Sequence, residues 1–293
     1  MPTKREIKDE MDNLKTLQAL TDAYAEIASR RMKTVRSSVT LTRDFLAALE
    51  DVFNQVRAGY KRQVEALKKK KKAGEAQTIT FLAHNGKTVS VFLSANAGLY
   101  GDIIPKVFKQ FVDEIDKTNS EVTIIGRLGR ELFLQRFSSL RPYTYFDYPD
   151  VGASQTDMNK IIAHLVPYEE IRVHYGQFKN VARQEPVVYN ISAQTAITIE
   201  GEKEAQAARY LFEPTLEEIL MFFETEMFGS LLDQTMRESQ LAKFASRMLA
   251  MDKAYENIQD KIKLERMMQL RVMHATEDRK QRTLFSSMKL WKT

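Results

Sequence analysis

The chain has no cysteine among its 293 residues, which removes disulfides, thiol nucleophiles and cysteine-ligated metals. Proline and glycine are scarce as well, at seven and eleven, fewer than a loop-rich all-β protein of this length would carry. The four histidines, His84, His164, His174 and His274, are scattered, with no pair at an i, i+4 ligand spacing. No apolar run approaches about eighteen residues, so the sequence predicts neither a membrane span nor a signal peptide. A glycine–serine–glycine elbow and a phosphate loop ending in Gly-Lys-Ser/Thr are both missing. Acid pairs such as Glu169–Glu170 and Glu217–Glu218 stand where elements are expected to begin, and charge at a helix N-terminus accounts for them. These residues assemble no active site.

What the chain does have is helical periodicity on an unusual scale. From Thr215 to Trp291 there is no proline and a single glycine, Gly229. Apolar residues recur three or four apart: Ile219, Phe222, Phe223, Met227, Leu231, Leu241, Phe244, Met248, Met251, Tyr255, Ile258 and Ile262. A helix of this length cannot bury its stripe against a compact core alone and needs a second long helix beside it. The N-terminus supplies one. Ile7, Met11, Leu14, Leu17, Thr21, Tyr24, Ala28, Met32, Val35 and Val39 give one stripe, continued by Leu46, Leu49, Phe53, Val56, Tyr60, Val64 and Leu67. Heptads kept this long predict a coiled coil.

Charge is balanced rather than polarised. The net charge is +5 with 28% charged residues, and interleaved acids and bases argue against a dedicated nucleic-acid binder. The basic cluster Arg30, Arg31, Lys33 and Arg36 reads as a solvated helix face, or else as a contact for an acidic partner. The run Lys68–Lys72 reads as a helix end or linker.

Between the helices the period changes. Thr78–Leu82 and Thr88–Leu93 are β-type runs joined by a turn at His84-Asn85-Gly86-Lys87. A helix is expected over Asp102–Asp116, a strand over Val122–Ile125, a helix over Leu128–Phe137 and extended chain over Tyr143–Tyr148. Asp157–Val166 is expected as helix, Ile171–Tyr175 as strand and Val187–Ile199 as extended. The alternation predicts an α/β layer with a mainly parallel sheet. The expected domains are an N-terminal coiled-coil helix (1–72), an α/β domain (76–200) and a C-terminal coiled-coil helix (207–293). Two turns, Ser94–Asp102 and Gly126-Arg-Leu-Gly129, follow strands and open helices. Their amides could cradle an anion, but they lack dinucleotide-loop spacing and read as tight strand-to-helix turns.

Several stretches in order resemble the gamma subunit of the rotary F-type ATP synthases. Ile27-Ala-Ser-Arg-Arg-Met32-Lys33 is similar to its N-terminal helix motif, and Gly98, Leu99 and Gly101 match its Gly-Leu-Cys-Gly turn. Ile125-Gly-Arg-Leu-Gly129-Arg130, Val173–Asn180 with Gln184-Glu-Pro-Val-Val188, and Tyr210-Leu-Phe-Glu213-Pro214 resemble later motifs. Ser246-Arg-Met-Leu-Ala-Met251-Asp252-Lys-Ala-Tyr-Glu-Asn257 resembles the Ala-Arg-Met-Ala-Ala-Met-Asp motif of the shaft. The resemblance implies an antiparallel coiled coil of the terminal helices with an inserted Rossmann-like α/β domain. It implies a non-catalytic central-stalk shaft that couples ion-driven rotation to conformational cycling of an alpha/beta hexamer. ATP, ADP and magnesium would sit on those alpha and beta subunits, with no cofactor on this chain. Its foot would meet the epsilon subunit and the c-subunit ring, on the inner face of an energy-transducing membrane such as the bacterial plasma membrane. Arg31, Lys33, Arg271 and His274 are the candidate hexamer contacts.

The match has departures. Tyr24-Ala-Glu26 replaces a methionine-rich start, Arg271-Val-Met-His274 replaces Arg-Ala-Arg-Gln, Tyr100 replaces the turn cysteine, and the tail from Thr283 to Thr293 differs. They point to a divergent branch, for example an ion-pumping F-type ATPase. Met248, Met251, Met267, Met268 and Met273 are expected mostly as coiled-coil packing. Two other classes remain open: an α/β enzyme with oligomerising helices, and a non-rotary coiled-coil scaffold.

Overall fold

The computed structural model describes residues 3–59, 85–137, 141–192 and 215–290. Thr78–Leu82, Lys68–Lys72, the helix continuation through Tyr60, Val64 and Leu67, the stretch from 193 to Ile199, and Tyr210–Pro214 with Glu213 lie outside those residues. The elements in order are α1 (Lys4–Gly59), β1 (Thr88–Leu93), α2 (Ile103–Ile115), β2 (Glu121–Ile125), α3 (Arg127–Phe137), β3 (Thr144–Phe146), α4 (Gln155–Leu165), β4 (Glu170–Asn180), β5 (Arg183–Asn190) and α5 (Leu216–Leu290). The chain divides into two compact units. One comprises Met1–Arg30 with Arg247–Thr293, the other Arg31–Ser246.

Among its described residues the first unit consists of two helical segments, 4–30 of α1 and 247–290 of α5. On α1, Ile7, Met11, Leu14 and Ala28 are buried, and Gln18, Thr21 and Ala25 are half-buried between them. The gaps run four, three, four, three without a slip. On α5 the matching seam is Met248, Met251, Tyr255, Ile258, Ile262, Glu265, Gln269 and Val272. A strict 3.5-residue repeat is the geometry of a left-handed coiled coil. The stripe read from apolar residues alone is corrected here: Leu17 is 50% and Tyr24 40% exposed. Routing the seam through them requires two gaps of three in succession and later two of four. The uninterrupted repeat instead selects Gln18 and Ala25. Met267, Met268 and Met273 are also exposed, against the expectation that most of these methionines pack in the coil. Beyond Val272 every described side chain of α5 is exposed, including Leu284, Phe285 and Met288. Polar seam residues fix register at a cost in stability. Gln18→Leu is therefore expected to stabilise the coil by about 1 kcal/mol, read as a shifted melting curve of helical circular dichroism.

The second unit is built on a five-stranded sheet of order β3-β2-β1-β4-β5. β1 pairs in parallel with β2 and β4, β2 in parallel with β3, and β5 joins β4 antiparallel at the edge. Side chains alternate across the strands, as period two requires. Phe92, Val122 and Ile124 face α2 and α3, where Val107, Phe111, Ile115 and Phe133 complete a cluster. Val89, Val91, Leu93, Ile125 and Val173 face the other way, onto Ile161 and Leu165 of α4 and Phe228, Leu231, Leu232 and Met236 of α5. The Ser154 hydroxyl caps α4 by accepting from the Asp157 amide at 3.2 Å.

The mainly parallel sheet agrees with the sequence reading, while β4 and β5 differ from it in extent. β4 runs on to Asn180 because Gly176 and Gln177 pair with Pro186 and Glu185. Both are non-apolar, so the alternation hid them. β5 runs Arg183–Asn190, and Ile191 and Ser192 are helical, so of the extended stretch expected from Val187 the described residues show it as far as Asn190. Gly176 also has a packing reason. A methyl there would lie 2.6 Å from Ile103 of α2 and 3.6 Å from Ala242 of α5.

Within this unit α1 and α5 run antiparallel. Thr42 meets Asp233, Arg43 meets Glu238, and further along Phe53 meets Phe223 at 5.6 Å between ring centroids. The α1 seam here is Met32, Val35, Val39, Thr42, Leu46, Leu49, Phe53 and Val56, again with alternating gaps.

Candidate functional site

The Ser94–Gly101 turn follows β1 at the centre of the sheet, where an α/β protein would place a ligand. Leu99 has φ of +65° and Gly101 of +60°, both in the left-handed region. Asn96 and Ala97 both donate their backbone N–H, at 2.9 Å each, to the Asp150 carboxylate. The Asn96 side chain holds Asp147 and accepts from the Arg127 amide at 2.7 Å. The anion cradle therefore exists, and the protein fills it with its own carboxylate. Burial alone would raise the Asp150 carboxyl. The Lys243 ammonium and the two amides outweigh that and hold it below the usual carboxylate range.

Lys243 comes from α5, where every residue from Leu241 to Ser246 is buried. Its Nζ donates to Asp150 Oδ1 at 3.0 Å and to the Ser94 carbonyl at 2.9 Å. One turn on, the Ser246 hydroxyl donates to the Tyr100 carbonyl at 2.8 Å. Five residues before Lys243, buried Glu238 accepts from the Tyr175 hydroxyl at 3.2 Å and pairs with Arg43 of α1. Beside these ties lies a cavity of about 20 Å³, the size of one water, lined by Ser94, Tyr148, Ser239 and Lys243 among others. The arrangement binds a helix to a sheet. It offers no space for a nucleotide.

The candidate residues fall in several places. Arg31 and Lys33 are exposed on α1 in the sheet-bearing unit, with Met32 half-buried between them against the α2 cluster. Arg271 and His274 are exposed near the end of the α5 seam in the other unit. Gly98, Leu99 and Gly101 form the turn just described, with Leu99 56% exposed. Met251 is buried in the coil, while Asp252 and Asn257 point to solvent. Asp150, Lys243, Glu238 and Tyr175 were missed. The signals were a lysine inside Leu241-Ala-Lys-Phe-Ala-Ser246 and a glutamate on an otherwise apolar face.

One unit is thus a pair of helical segments, and the other a mixed five-stranded sheet to which its own part of α5 is tied. A sequence model described as ATP synthase matches residues 3–269. The chain is 24% identical over 272 residues to the "ATP synthase gamma chain" of Pelotomaculum thermopropionicum, covering 89% of each chain. It is 27% identical over 294 residues to that of Elusimicrobium minutum, covering 90% of this chain and 93% of that one. In fold it resembles a central-stalk chain of the Tetrahymena thermophila mitochondrial ATP synthase, with TM-score 0.55, 18% identity, and coverage of 80% of this chain and 99% of that one. A chain of the Euglena gracilis mitochondrial ATP synthase gives TM-score 0.52 at 13% identity, covering 92% and 94%. The chain belongs to the ATP synthase gamma-chain family, the rotors of the central stalk.

Proposed function

We propose that the chain turns as the shaft of an F-type ATP synthase, inside an alpha/beta hexamer that carries the ATP, ADP and magnesium. Its own part is mechanical and non-catalytic. An asymmetric shaft touches each catalytic interface differently, and differential contact is what shifts a conformational equilibrium. The observation that carries this reading is α5: one helix, Leu216–Leu290, is sunk into the sheet unit at one end and bare at the other. Leu284, Phe285 and Met288, all at least 65% exposed, give that bare end the apolar surface a hexamer sleeve would cover. The sheet unit is the foot, meeting the epsilon subunit and the c-subunit ring. The inner face of a bacterial plasma membrane is the proposed location, supported by the bacterial relatives. Among the described residues no helix is long and apolar enough to cross a membrane.

A divergent ion-pumping F-type ATPase is the second reading. Relatives of only 24–27% identity over most of the chain, with Arg271-Val-Met-His274 near the tip, favour it.

Co-expression with alpha and beta subunits tests the proposal. The expected product is a hexamer holding one copy of this chain, with ATPase activity that depends on it. A chain that purifies alone or as a homodimer would overturn it. In the assembled complex Arg271→Ala is expected to lower the ATPase rate several-fold, as loss of one charged contact worth about 1–2 kcal/mol would. An unchanged rate would remove Arg271 from the contact set, and Arg31, Lys33 and His274 stand under the same test.

A further inference from the structure

The geometry points to Lys243 and Glu238 as the torque-bearing residues of the rotor, with Ser246 as a third tie. This inference rests on the rotor reading and goes beyond it by naming where load passes between α5 and the sheet within the sheet-bearing unit. Apolar packing is non-directional. A helix held only by Phe228, Leu231, Leu232 and Met236 could turn about its axis and repack. Hydrogen bonds are directional, and a buried charge pulled from its partner is strongly disfavoured.

The three ties are placed to resist rotation. At 100° per residue, Glu238, Lys243 and Ser246 spread over about 140° of the α5 circumference and about 12 Å of its length. They grip different elements: Tyr175 on β4 and Arg43 on α1, Asp150 after β3 with the Ser94 carbonyl after β1, and the Tyr100 carbonyl in the turn. Rotation in either sense stretches at least one of them. The Lys243 side chain is 8% exposed and its Asp150 partner 11%, so water cannot readily replace either contact. Asp150 in turn clamps two backbone amides, so load on Lys243 enters the sheet through main chain as well as through a side chain. These are positioning residues. They touch no nucleotide.

The test uses the assembled membrane complex in vesicles, with wild-type chain, Lys243→Met, Glu238→Gln and Lys243→Arg. Two quantities are read: ions taken up per ATP hydrolysed, for protons and for sodium, and the angular variance of a bead on the foot with the hexamer anchored. Lys243→Met and Glu238→Gln are expected to keep ATPase within about twofold of wild type. Uptake per ATP should fall at least threefold and angular variance should at least double, while Lys243→Arg stays near wild type. Wild-type uptake and variance in both variants would overturn the inference, as would a lowered melting temperature with the ratio unchanged. Ser246→Ala, a smaller change, keeps the test open if Lys243→Met fails to assemble. It should raise the variance measurably, and no rise would count against the inference. A wild-type complex that does not couple hydrolysis to uptake would instead remove the rotor reading, an outcome distinct from variants that match a working wild type.

Discussion

Gly126→Ala is expected to destabilise the sheet unit by about 3–5 kcal/mol. Gly126 joins β2 to α3 with φ of +103°, outside the range that side chains adopt comfortably. A Cβ there would stand 2.8 Å from the Ala95 nitrogen and 3.0 Å from its carbonyl oxygen. These are backbone atoms of the neighbouring turn and cannot rotate away. The turn is also tied down, since Ser94 donates to the Ile125 carbonyl at 2.8 Å and Leu128 to the Ala95 carbonyl at 2.9 Å. The strain would therefore spread into the Asp150 cradle. Urea unfolding of the isolated chain, followed by tyrosine fluorescence, measures the effect. A loss below about 1 kcal/mol would contradict the close approach.

His174 should dominate the acid limb of stability. Its ring is fully buried on β4, edge-on to Phe111 at 5.2 Å, and neither nitrogen has a hydrogen-bond partner. Burial lowers its pKa to about 4. Glu114, with a carboxylate oxygen 3.8 Å away, pulls upward, and Arg172 pushes further down. A histidine whose folded pKa lies below the unfolded value binds fewer protons folded than unfolded, so folding stability falls as pH falls between the two. The window runs from the ordinary 6.5 down to about 4, and the total loss is about 3 kcal/mol. Asp150, held low by Lys243, adds a loss of the same sign at lower pH still, as its own carboxyl protonates. In His174→Leu the slope between pH 6.5 and 4 should shrink markedly, leaving the smaller losses of the same sign from His164, lowered by burial, and Glu121, lowered by its hydrogen bonds from Lys87 and Tyr168. Stability at pH 7 should rise by about 1–2 kcal/mol, because an unpaired buried polar ring is gone. An unchanged pH profile in that variant would show that another group carries the acid sensitivity.

The sequence makes the sheet legible because each strand carries a local sign. Val122-Thr-Ile-Ile125 and Thr88-Val-Ser-Val-Phe-Leu93 are β-branched runs bounded by turns, and α2 shows a clean apolar face at helical spacing. The long helices are equally plain, but not which of two overlapping stripes forms the seam. Leu17 is more apolar than Gln18 and Tyr24 larger than Ala25, yet the half-buried positions follow the continuity of the repeat.

The rivets were hidden for a different reason. Lys243 and Asp150 stand 93 residues apart in sequence, and neither belongs to a motif. Their meaning comes from a pairing that only the folded chain creates. The Ser94–Gly101 turn shows both effects at once. Its amides advertise an anion site, and only the structure shows that Asp150 already occupies it.

The most direct test of the rotor account uses the lack of native cysteine, which makes Lys179→Cys, exposed at the end of β4, a unique attachment point. With the alpha/beta hexamer fixed to a surface and a bead on that cysteine, ATP should drive continuous one-way rotation in discrete steps. A hexamer that hydrolyses ATP while the bead shows only undirected fluctuation would contradict the account.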